Sequence, residues 1–365
     1  MSKRRAGGIA GTLAALAVGV GLVAERTIVA ERRKAAPDAD RLGTLHSQAR
    51  TVIASDGVHL HAEVDEVAPY SRKRRGKHEA PAADLPTLVF AHGYALSLDC
   101  WHFQRAALRG KFRMVFYDQR AHGQSGRGEW KNATIDQLGA DLGAVIEQLV
   151  PTGRVVVVGH SMGGMSALAY ADQFTREFSE RVTGVALIAT SAGDMHPHET
   201  ISSWIPDGIG EVVALRAISA LAKAPELVDS ARRLGSNIGY LVVRRFAFGS
   251  TNVPPEQVEF LDHMLADTPM EVLGAFFPQF EALDKYAVLG AFTNVATTII
   301  CGTRDRLTPL AHSRRLATAI EGSELVVCPG AGHMVIFEKS ARVNAAIESM
   351  AIAAARPDLR AVASS

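Results

Sequence analysis

The sequence predicts an α/β fold: a mainly parallel sheet with helices on both faces and a helical cap insertion. Short, continuously apolar runs rich in β-branched residues recur along the chain, as in strands buried on both faces. Helical stretches separate most of these runs, which is typical of a parallel sheet covered on both sides. The runs are TLVFAHG, RMVFYDQR, RVVVVGHS, VALIATSAG, TTIICGTRD and ELVVCPGAGH, and the helical stretches are TIDQLGADLGAVIEQLV, MGGMSALAYADQF, LAHSRRLATAI and VNAAIESMAIAAA.

The turns that follow these runs carry polar and glycine residues. Ligands of parallel α/β sheets bind beyond the carboxyl ends of the strands. Because every one of these turns follows a predicted strand, we expect them to share that edge of the sheet and to form the functional site there.

A hairpin precedes the alternating region. RTVIASDG and VHLHAEVDEV predict two strands joined by a turn at Asp56 and Gly57. The second strand alternates cleanly, and we expect its polar face to be solvated at the edge of the sheet. A metal site on that face is the alternative. The polar face carries His59, His61, Glu63 and Asp65.

The alternation stops between the fourth and fifth apolar runs. Residues 205–285 are mostly helical in pattern, and the interval is too long for a simple loop. We therefore predict a core of residues 49–192 and 290–365, with a cap over residues 193–289. The cap's large apolar residues have two open interpretations, the lining of an acyl pocket or ordinary packing. They are Trp204, Phe246, Phe248, Met264, Phe276, Phe277 and Phe280.

Composition narrows the functional classes. The chain has 365 residues, of which 47% are hydrophobic, and a formal net charge of +1. This charge balance gives no indication of a nucleic-acid partner. Three cysteines without metal-ligand spacing indicate neither a disulfide framework nor a zinc site. We expect no metal and no organic cofactor, and the sequence does not determine the oligomeric state.

The N-terminus differs from the rest of the chain. A basic start at residues 1–5 precedes residues 6–24, which carry no charge and are long enough to cross a bilayer as a helix. We predict a membrane anchor there, followed by a polar linker over residues 25–48. Basic residues lie on both sides, so the orientation is undetermined. Two alternatives remain open. The segment is a cleaved signal peptide, which implies a secreted protein, or it is neither an anchor nor a signal peptide, which implies a cytoplasmic one.

The run VVVVGHSMGG places a serine on a turn between a strand and a helix. Gly159-His160-Ser161-Met162-Gly163 fits G-x-S-x-G, in which the serine hydroxyl is exposed on a strained turn. Glycines allow neighbouring backbone to approach closely. An acyl-transfer site also needs donors for an oxyanion. We expect these to be the backbone N–H groups of Met162 and Tyr94.

A serine nucleophile needs a base, and the base needs an acid to orient it. His333 follows the last predicted strand, and Asp305 follows the one before it. The chain order Ser161, Asp305, His333 is the order expected of this arrangement. Asp194, which follows an earlier strand, is the alternative acid.

These motifs together resemble the α/β-hydrolase superfamily, and most of all its lid-bearing esterase, lipase and cofactor-free haloperoxidase-like branch. The motifs are AHGYALS, YDQRAHGQS, GHSMGG, GTRDRLTP and GAGHM. The resemblance covers roughly residues 50–355. The N-terminal segment is similar to that of actinobacterial membrane-anchored hydrolases.

The resemblance implies the α/β-hydrolase fold, with Ser161 as nucleophile, His333 as base and Asp305 as acid. It implies scaffold roles for Asp118, Arg120 and His122 of YDQRAHGQS, in which Ala121 stands where glycine is common. A serine at position 161 excludes the aspartate nucleophile of epoxide hydrolases and dehalogenases. Ala95 stands where perhydrolase-active members often have proline.

The predicted activity is hydrolysis of a carboxylic ester through an acyl-enzyme, with a small or lipid-like apolar acyl group. Cleavage of a carbon–carbon bond, a thioester or an amide, and perhydrolysis, are alternatives on the same triad. A non-catalytic binding protein of the same fold is the alternative from another class. The expected partner is a small-molecule ester or lipid, together with a membrane at the N-terminal segment.

Overall fold

A computed structural model describes residues 41–67, 85–195 and 244–355 of the chain. Within these ranges, eight strands form one sheet in the order β1-β2-β4-β3-β5-β6-β7-β8. The hairpin strands β1 and β2 are antiparallel, β2 pairs antiparallel with β4, and the remaining pairs are parallel. The strands are β1 Ala49–Ile53, β2 His59–Asp65, β3 Thr87–Ala91, β4 Met114–Tyr117, β5 Val155–His160, β6 Val182–Ile188, β7 Ala296–Gly302 and β8 Glu324–Cys328.

Helices cover both faces of this sheet, so the predicted fold class is confirmed. Every predicted helical stretch of the core forms a helix. The α-helices with both ends inside the described ranges are α1 His102–Leu108, α2 Ile135–Leu149, α3 Met162–Gln173, α4 Thr175–Arg181, α5 Pro255–Asp267, α6 Met270–Glu281, α7 Leu310–Ala319, α8 Val335–Glu338 and α9 Ser340–Ala354. The 3₁₀ helices are Leu98–Trp101, Trp130–Asn132 and Tyr286–Phe292.

Two apolar cores sandwich the sheet. In β3, Leu88 and Phe90 face the core that contains α9, whereas Val89 and Ala91 face the core that contains α2 and α3. Successive side chains of a strand point to opposite faces. A strand buried on both faces must therefore be apolar throughout, which explains the unbroken runs in the sequence.

The polar face of β2 is not solvated as predicted. Glu63 and Asp65 are buried, and Arg105 of α1 bonds to both. Arg105 Nη2 lies 2.7 Å from Glu63 Oε2, and Arg105 Nε donates to Asp65 Oδ2 at 2.9 Å. His59 is exposed, as expected. The expectation failed because α1 supplies a buried guanidinium that the alternation pattern of β2 cannot reveal. Among the described residues, no cluster of His, Cys, Asp or Glu could hold a metal ion.

The last residues of the predicted linker pack on the core. The Gly43 N–H donates to His102 Nδ1 at 3.3 Å, and the Ser47 N–H donates to Glu63 Oε2 at 2.7 Å. Residues 1–40, with the predicted anchor at 6–24, lie outside the described residues, so the anchor stays a prediction from sequence. In the part of the chain that the structure describes, no helix is long and apolar enough to cross a membrane.

Two helices, α5 and α6, lie in the segment predicted as the cap, between β6 and β7. Phe276 and Phe280 of α6 are buried against Met162 at the start of α3. Residues 196–243, including Trp204, lie outside the described residues. The described part of this segment therefore lies next to the turn that carries the G-x-S-x-G motif.

Arg120, one of the predicted scaffold residues, forms a buried ion-pair network below the carboxyl edge of β4. Its guanidinium donates to both oxygens of Asp141 in α2 at 2.6 Å and to Asp56 Oδ2 at 2.8 Å. Arg120 and Asp141 are each about 1% exposed. Breaking such a pair by removing one partner leaves a buried charge without compensation.

We expect Asp141→Ala to lower the free energy of unfolding by about 3 kcal/mol, the lower end for a buried pair, because Asp56 stays beside Arg120. Urea denaturation measures this change. Glu180→Ala, which removes an exposed carboxylate paired with Arg176, is the control and should leave the urea midpoint unchanged. Equal midpoints for the two variants would contradict the assignment of Arg120 to the scaffold.

Candidate active site

Ser161 occupies a strained turn between β5 and α3. Its backbone has φ +52° and ψ −118°, a conformation that residues other than glycine rarely adopt. Such strain persists only where the surrounding structure enforces it, and it is concentrated at functional sites. The Ser161 N–H donates to the Ile188 carbonyl at 2.9 Å, and Thr190 Oγ1 donates to the Ser161 carbonyl at 2.8 Å. β6 and the residues just after it therefore hold this turn in place.

The two glycines of the motif are required by close packing. A Cβ on Gly159 would lie 2.5 Å from the Gly163 carbonyl oxygen, and a Cβ on Gly163 would clash with the Ala91 carbonyl at the end of β3. Real Cβ atoms do not approach backbone so closely. Glycine at these positions lets α3 begin directly against β3, with Ser161 at the edge of the sheet.

His333 lies between β8 and α8, and its imidazole joins two other predicted site residues. His333 Nε2 is 3.0 Å from Ser161 Oγ, and His333 Nδ1 is 3.0 Å from Asp305 Oδ2. His333 and Asp305 are each 6% exposed. The structure thus brings Ser161, His333 and Asp305 into one hydrogen-bonded chain, although they lie far apart in sequence.

The Asp305 carboxylate is held by the loop after β7. Its Oδ1 accepts the backbone N–H groups of Leu307 and Thr308 at 2.9 Å, and its Oδ2 accepts the Thr308 hydroxyl at 2.9 Å. Burial opposes ionisation of Asp305. The charge and hydrogen bond of His333 and the bonds from Thr308 outweigh burial, so the pKa of Asp305 is lowered from 3.8. Asp305 is therefore a carboxylate at neutral pH.

This arrangement fixes the proton positions on His333. A carboxylate can only accept, so His333 Nδ1 carries the proton that is donated to Asp305. In the neutral imidazole, Nε2 then has a free lone pair and accepts the Ser161 hydroxyl. Chemically, the site can take a proton from Ser161 and stabilise the resulting imidazolium with Asp305.

Asp194, the alternative acid, lies elsewhere. Its side chain is half exposed and forms an ion pair with Arg315 of α7. The structure brings Asp305, rather than Asp194, to His333 Nδ1.

The backbone groups predicted to bind an oxyanion lie beside Ser161. Met162 is the first residue of α3, so its N–H belongs to the helix N-terminus. The loop of Tyr94 passes directly over the serine, because a Cβ on Gly93 would lie 3.2 Å from Ser161 Cβ. The Tyr94 hydroxyl donates to the Leu273 carbonyl of α6 at 2.5 Å. This loop is therefore tied to the helix α6.

Sequence reasoning missed two residues that contact the His333–Asp305 pair. His160 Nε2 donates to the His333 carbonyl at 3.0 Å, and Thr308 Oγ1 lies 3.3 Å from His333 Nδ1. Burial and the neighbouring His333 lower the pKa of His160 to about 3, so His160 is neutral. Both residues lie inside the quoted motifs. His160 directly precedes Ser161, and Thr308 lies three residues after Asp305. These positions were the signal in the sequence that could have identified them.

Buried polar residues brace the loop that carries Tyr94. His92 Nδ1 donates to the Gly93 carbonyl at 2.7 Å, and the Gln119 N–H donates to His92 Nε2 at 2.9 Å. Burial lowers the pKa of His92 to about 3, so it keeps this neutral tautomer. Asp118 accepts the backbone N–H groups of Leu98 and Gln124 at 2.8 Å. Burial raises the pKa of Asp118 to about 6.

The side chains of Met162 and Tyr94 belong to one apolar cluster. Tyr94 and Phe280 of α6 meet edge to face, with ring centroids 5.1 Å apart. The buried members of the cluster are Ala121, Ala133, Ile135, Leu138, Met162, Met165, Ala169, Val272, Phe276, Phe280 and Leu283, with Tyr94, Met195, Ala275 and Phe277 partly buried against them. Of the apolar residues singled out in the cap, Phe248 and Met264 instead belong to the main core that contains α9.

Comparisons with known proteins agree with this geometry. A profile described as the alpha/beta hydrolase fold matches residues 86–340. A 3-oxoadipate enol-lactonase of Acinetobacter baylyi is 27% identical over 271 residues, which cover 73% of this chain and 89% of that protein. An esterase from Thermogutta terrifontis is 24% identical, with a TM-score of 0.61, over 83% of this chain and 97% of that one. An enol-lactonase from Burkholderia xenovorans is 24% identical, with a TM-score of 0.61, over 82% of this chain and 99% of that one.

The chain belongs to the α/β-hydrolase fold family, because the matched region covers more than half of its length. The predicted family is thereby confirmed, and the chain is an enzyme of the hydrolase class. The alignment with solved structures extends this conclusion to the fold of the whole described core.

The lowered pKa of Asp305 predicts a pH-dependent contribution to stability. A carboxyl whose pKa is lower in the folded state stabilises it above the unfolded pKa, and this contribution is lost as pH falls through the folded pKa. We expect the difference in unfolding free energy between the wild type and Asp305→Asn to be largest above the ordinary carboxyl pKa of 3.8 and to shrink as the pH falls below it.

Urea denaturation across this pH range measures the difference. Asp194→Asn, at an exposed ion pair, is the control and should give a smaller difference throughout. A difference for Asp305→Asn that grows as the pH falls would contradict a lowered pKa of Asp305 in the folded state.

Proposed function

We propose that this chain is a serine hydrolase of carboxylic esters that works through Ser161, His333 and Asp305. The observation that carries the proposal is the continuous hydrogen-bonded chain from Ser161 Oγ through His333 to Asp305. It lies at the carboxyl edge of the sheet, where ligands of such folds bind. Nothing in ligand binding alone would require this ordered set of three side chains.

In the first half-reaction, Ser161 Oγ attacks the carbonyl carbon of the ester. His333 Nε2 takes the hydroxyl proton, and Asp305 stabilises the imidazolium that results. The tetrahedral intermediate then collapses as His333 returns the proton to the alcohol oxygen. The alcohol leaves, and the acyl group stays bound to Ser161 as an ester.

The negative charge of the intermediate requires fixed donors. The N–H of Met162 lies at the N-terminus of α3, where the helix dipole also favours negative charge. We assign the second donor to the N–H of Tyr94, since its loop lies against Ser161. Loss of one such donor costs about 2.7–4 kcal/mol of transition-state stabilisation.

In the second half-reaction, water replaces the alcohol. His333 Nε2 takes a proton from water as the water oxygen attacks the acyl carbon, and it returns this proton to Ser161 Oγ as the acid leaves. The same two backbone donors stabilise the second intermediate. The enzyme thus returns to its initial protonation state without a cofactor.

The substrate that best fits the surroundings has an apolar acyl group. The cluster around Met162 and Tyr94 is built from aromatic, aliphatic and methionine side chains, including Phe276 and Phe280. The similar proteins named above are esterases and enol-lactonases, and a lactone is a cyclic ester. These observations support a small or lipid-like apolar ester over an amide or thioester.

The backbone of Ala95 argues against perhydrolysis. Ala95 has φ +59°, whereas a proline ring fixes φ near −65°. The loop beside Ser161 therefore has a conformation that the proline common in perhydrolase-active members could not adopt. This difference favours water over peroxide as the second substrate.

Ester turnover tests the proposal directly. We expect Ser161-dependent hydrolysis of p-nitrophenyl esters from acetyl to palmitoyl, with a chain-length optimum that reflects the apolar cluster. Ser161→Ala should lower kcat by about 10⁶-fold, and Asp305→Asn by about 10⁴-fold because the imidazole loses its orienting carboxylate.

Asp194→Asn is the matched control and should keep kcat within about twofold of the wild type, since Asp194 pairs with Arg315 at the surface. Unchanged turnover by Ser161→Ala would refute the proposal. Labelling of Ser161 by a fluorophosphonate without ester turnover would instead indicate another substrate of the same triad. A folded protein that resists labelling would favour the binding-protein alternative.

A further inference from the structure

A short segment of the cap region, residues 245–250, lies against both loops that carry the acid and the base. We call it the bridging segment; it lies shortly before α5 in the chain. The loops after β7 and β8 have irregular backbone and lack the ladder of hydrogen bonds that fixes a strand. Their geometry therefore depends on whatever else bonds to them.

The bridging segment bonds directly to Met334 and, through Glu338, to Gly332, the two residues that flank His333. On one side, the Met334 N–H donates to the Ala247 carbonyl at 2.9 Å. On the other side, the Gly332 N–H donates to Glu338 Oε1 at 2.6 Å. The Glu338 carboxylate connects this second contact to the bridging segment.

Glu338 accepts backbone donors from the bridging segment with both of its oxygens. The Gly249 N–H lies 3.2 Å from Oε1 and 3.1 Å from Oε2, and the Ser250 N–H lies 3.0 Å from Oε2. Only a carboxylate offers two acceptor oxygens without a donor. Glu338 thus joins the backbone before His333 to the bridging segment.

The residues that flank Asp305 are bonded to the same segment. Arg304 Nη1 donates to the Gly249 carbonyl at 3.0 Å, and Arg306 Nη1 donates to the Arg245 carbonyl. The Arg304 N–H also donates to the Ala331 carbonyl of the His333 loop at 2.8 Å. Both neighbours of the acid and both neighbours of the base are therefore connected to one segment.

The contact at Gly249 has no room for a side chain. A Cβ there would lie 2.5 Å from backbone atoms of Gly330, Ala331 and Gly332. Because these are backbone atoms and not the ends of flexible side chains, a larger residue would displace the His333 loop or the bridging segment.

We propose that the bridging segment is a positioning element for the acid–base pair, which it holds in register through Ala247, Gly249 and Glu338. Its hydrogen bonds reach the backbone and the flanking side chains of the two loops, so it acts by fixing the backbone that carries Asp305 and His333. The inference rests on the proposed function of that pair. Its consequence is that catalysis depends on a segment that supplies none of the three reacting side chains. A misplacement of about 1 Å by a distant mutation can cost about 10²-fold in rate.

Gly249→Ala tests this role. We expect kcat on p-nitrophenyl esters to fall by about 10- to 100-fold and KM to stay within about twofold, because geometry and not substrate affinity is disturbed. The rate of Ser161 labelling by a fluorophosphonate should fall in parallel. Gly290→Ala is the matched control, since an added Cβ there meets nothing within 4 Å, and it should match the wild type.

Glu338→Gln tests the same element without a change in volume. It replaces one acceptor oxygen by an NH₂ group that faces backbone donors, so kcat should fall with little change in KM. Glu348→Gln, at a partly exposed carboxylate paired with Lys111, is its control. Circular dichroism and thermal melting establish that each variant is folded at the assay temperature.

Wild-type kcat in both folded variants would overturn the inference. Failure of both variants to fold would also contradict it, since the segment would then serve folding rather than catalytic geometry. Failure of the proposed function has a different signature. In that case the wild type itself shows neither ester turnover nor labelling of Ser161, whereas failure of this inference gives equal labelling in wild type and variants.

Discussion

Close backbone packing at the end of β5 is the constraint on which the site depends. Gly163 lies so close to the Ala91 carbonyl that α3 starts directly against β3, and the turn between β5 and α3 is left with a positive φ at Ser161. This conformation is strained for serine, and β6 maintains it through the Ile188 carbonyl and Thr190. The same packing brings the loop of Gly93 and Tyr94 over the serine. The rigid interior of the sheet thus determines where the hydroxyl and the backbone donors lie.

The acid and the base depend on a different kind of support. Asp305 and His333 lie on irregular loops after β7 and β8, so polar contacts must replace the strand ladder. His160 holds the His333 carbonyl from the β5 side, and Glu338 holds the N–H before it. The serine is therefore fixed by the sheet, whereas the acid–base pair is fixed by side-chain contacts that extend to the cap region. This division is the basis for our proposal that the bridging segment affects catalysis.

The sequence was sufficient where one local rule decides the outcome. Strands buried on both faces are apolar throughout, so the strands of the core could be predicted from the sequence. Because ligands bind beyond the carboxyl ends of parallel strands, the chain order of the polar residues there pointed to Ser161, Asp305 and His333. The sequence was insufficient where the environment of a residue depends on a contacting residue far away along the chain. Burial of Glu63 depends on Arg105 of α1, and the role inferred for Glu338 depends on Gly249, 89 residues away. A pattern within one element cannot identify a partner on another.

The most direct test of this account is a crystal structure of the protein after reaction with a fluorophosphonate, because the phosphonyl group mimics the tetrahedral intermediate. We expect phosphorus bonded to Ser161 Oγ, with the phosphoryl oxygen about 2.7–3.1 Å from the backbone nitrogens of Tyr94 and Met162. We also expect His333 to stay hydrogen-bonded to Asp305. A phosphonyl group on another residue, or a phosphoryl oxygen directed away from both backbone nitrogens, would contradict the account.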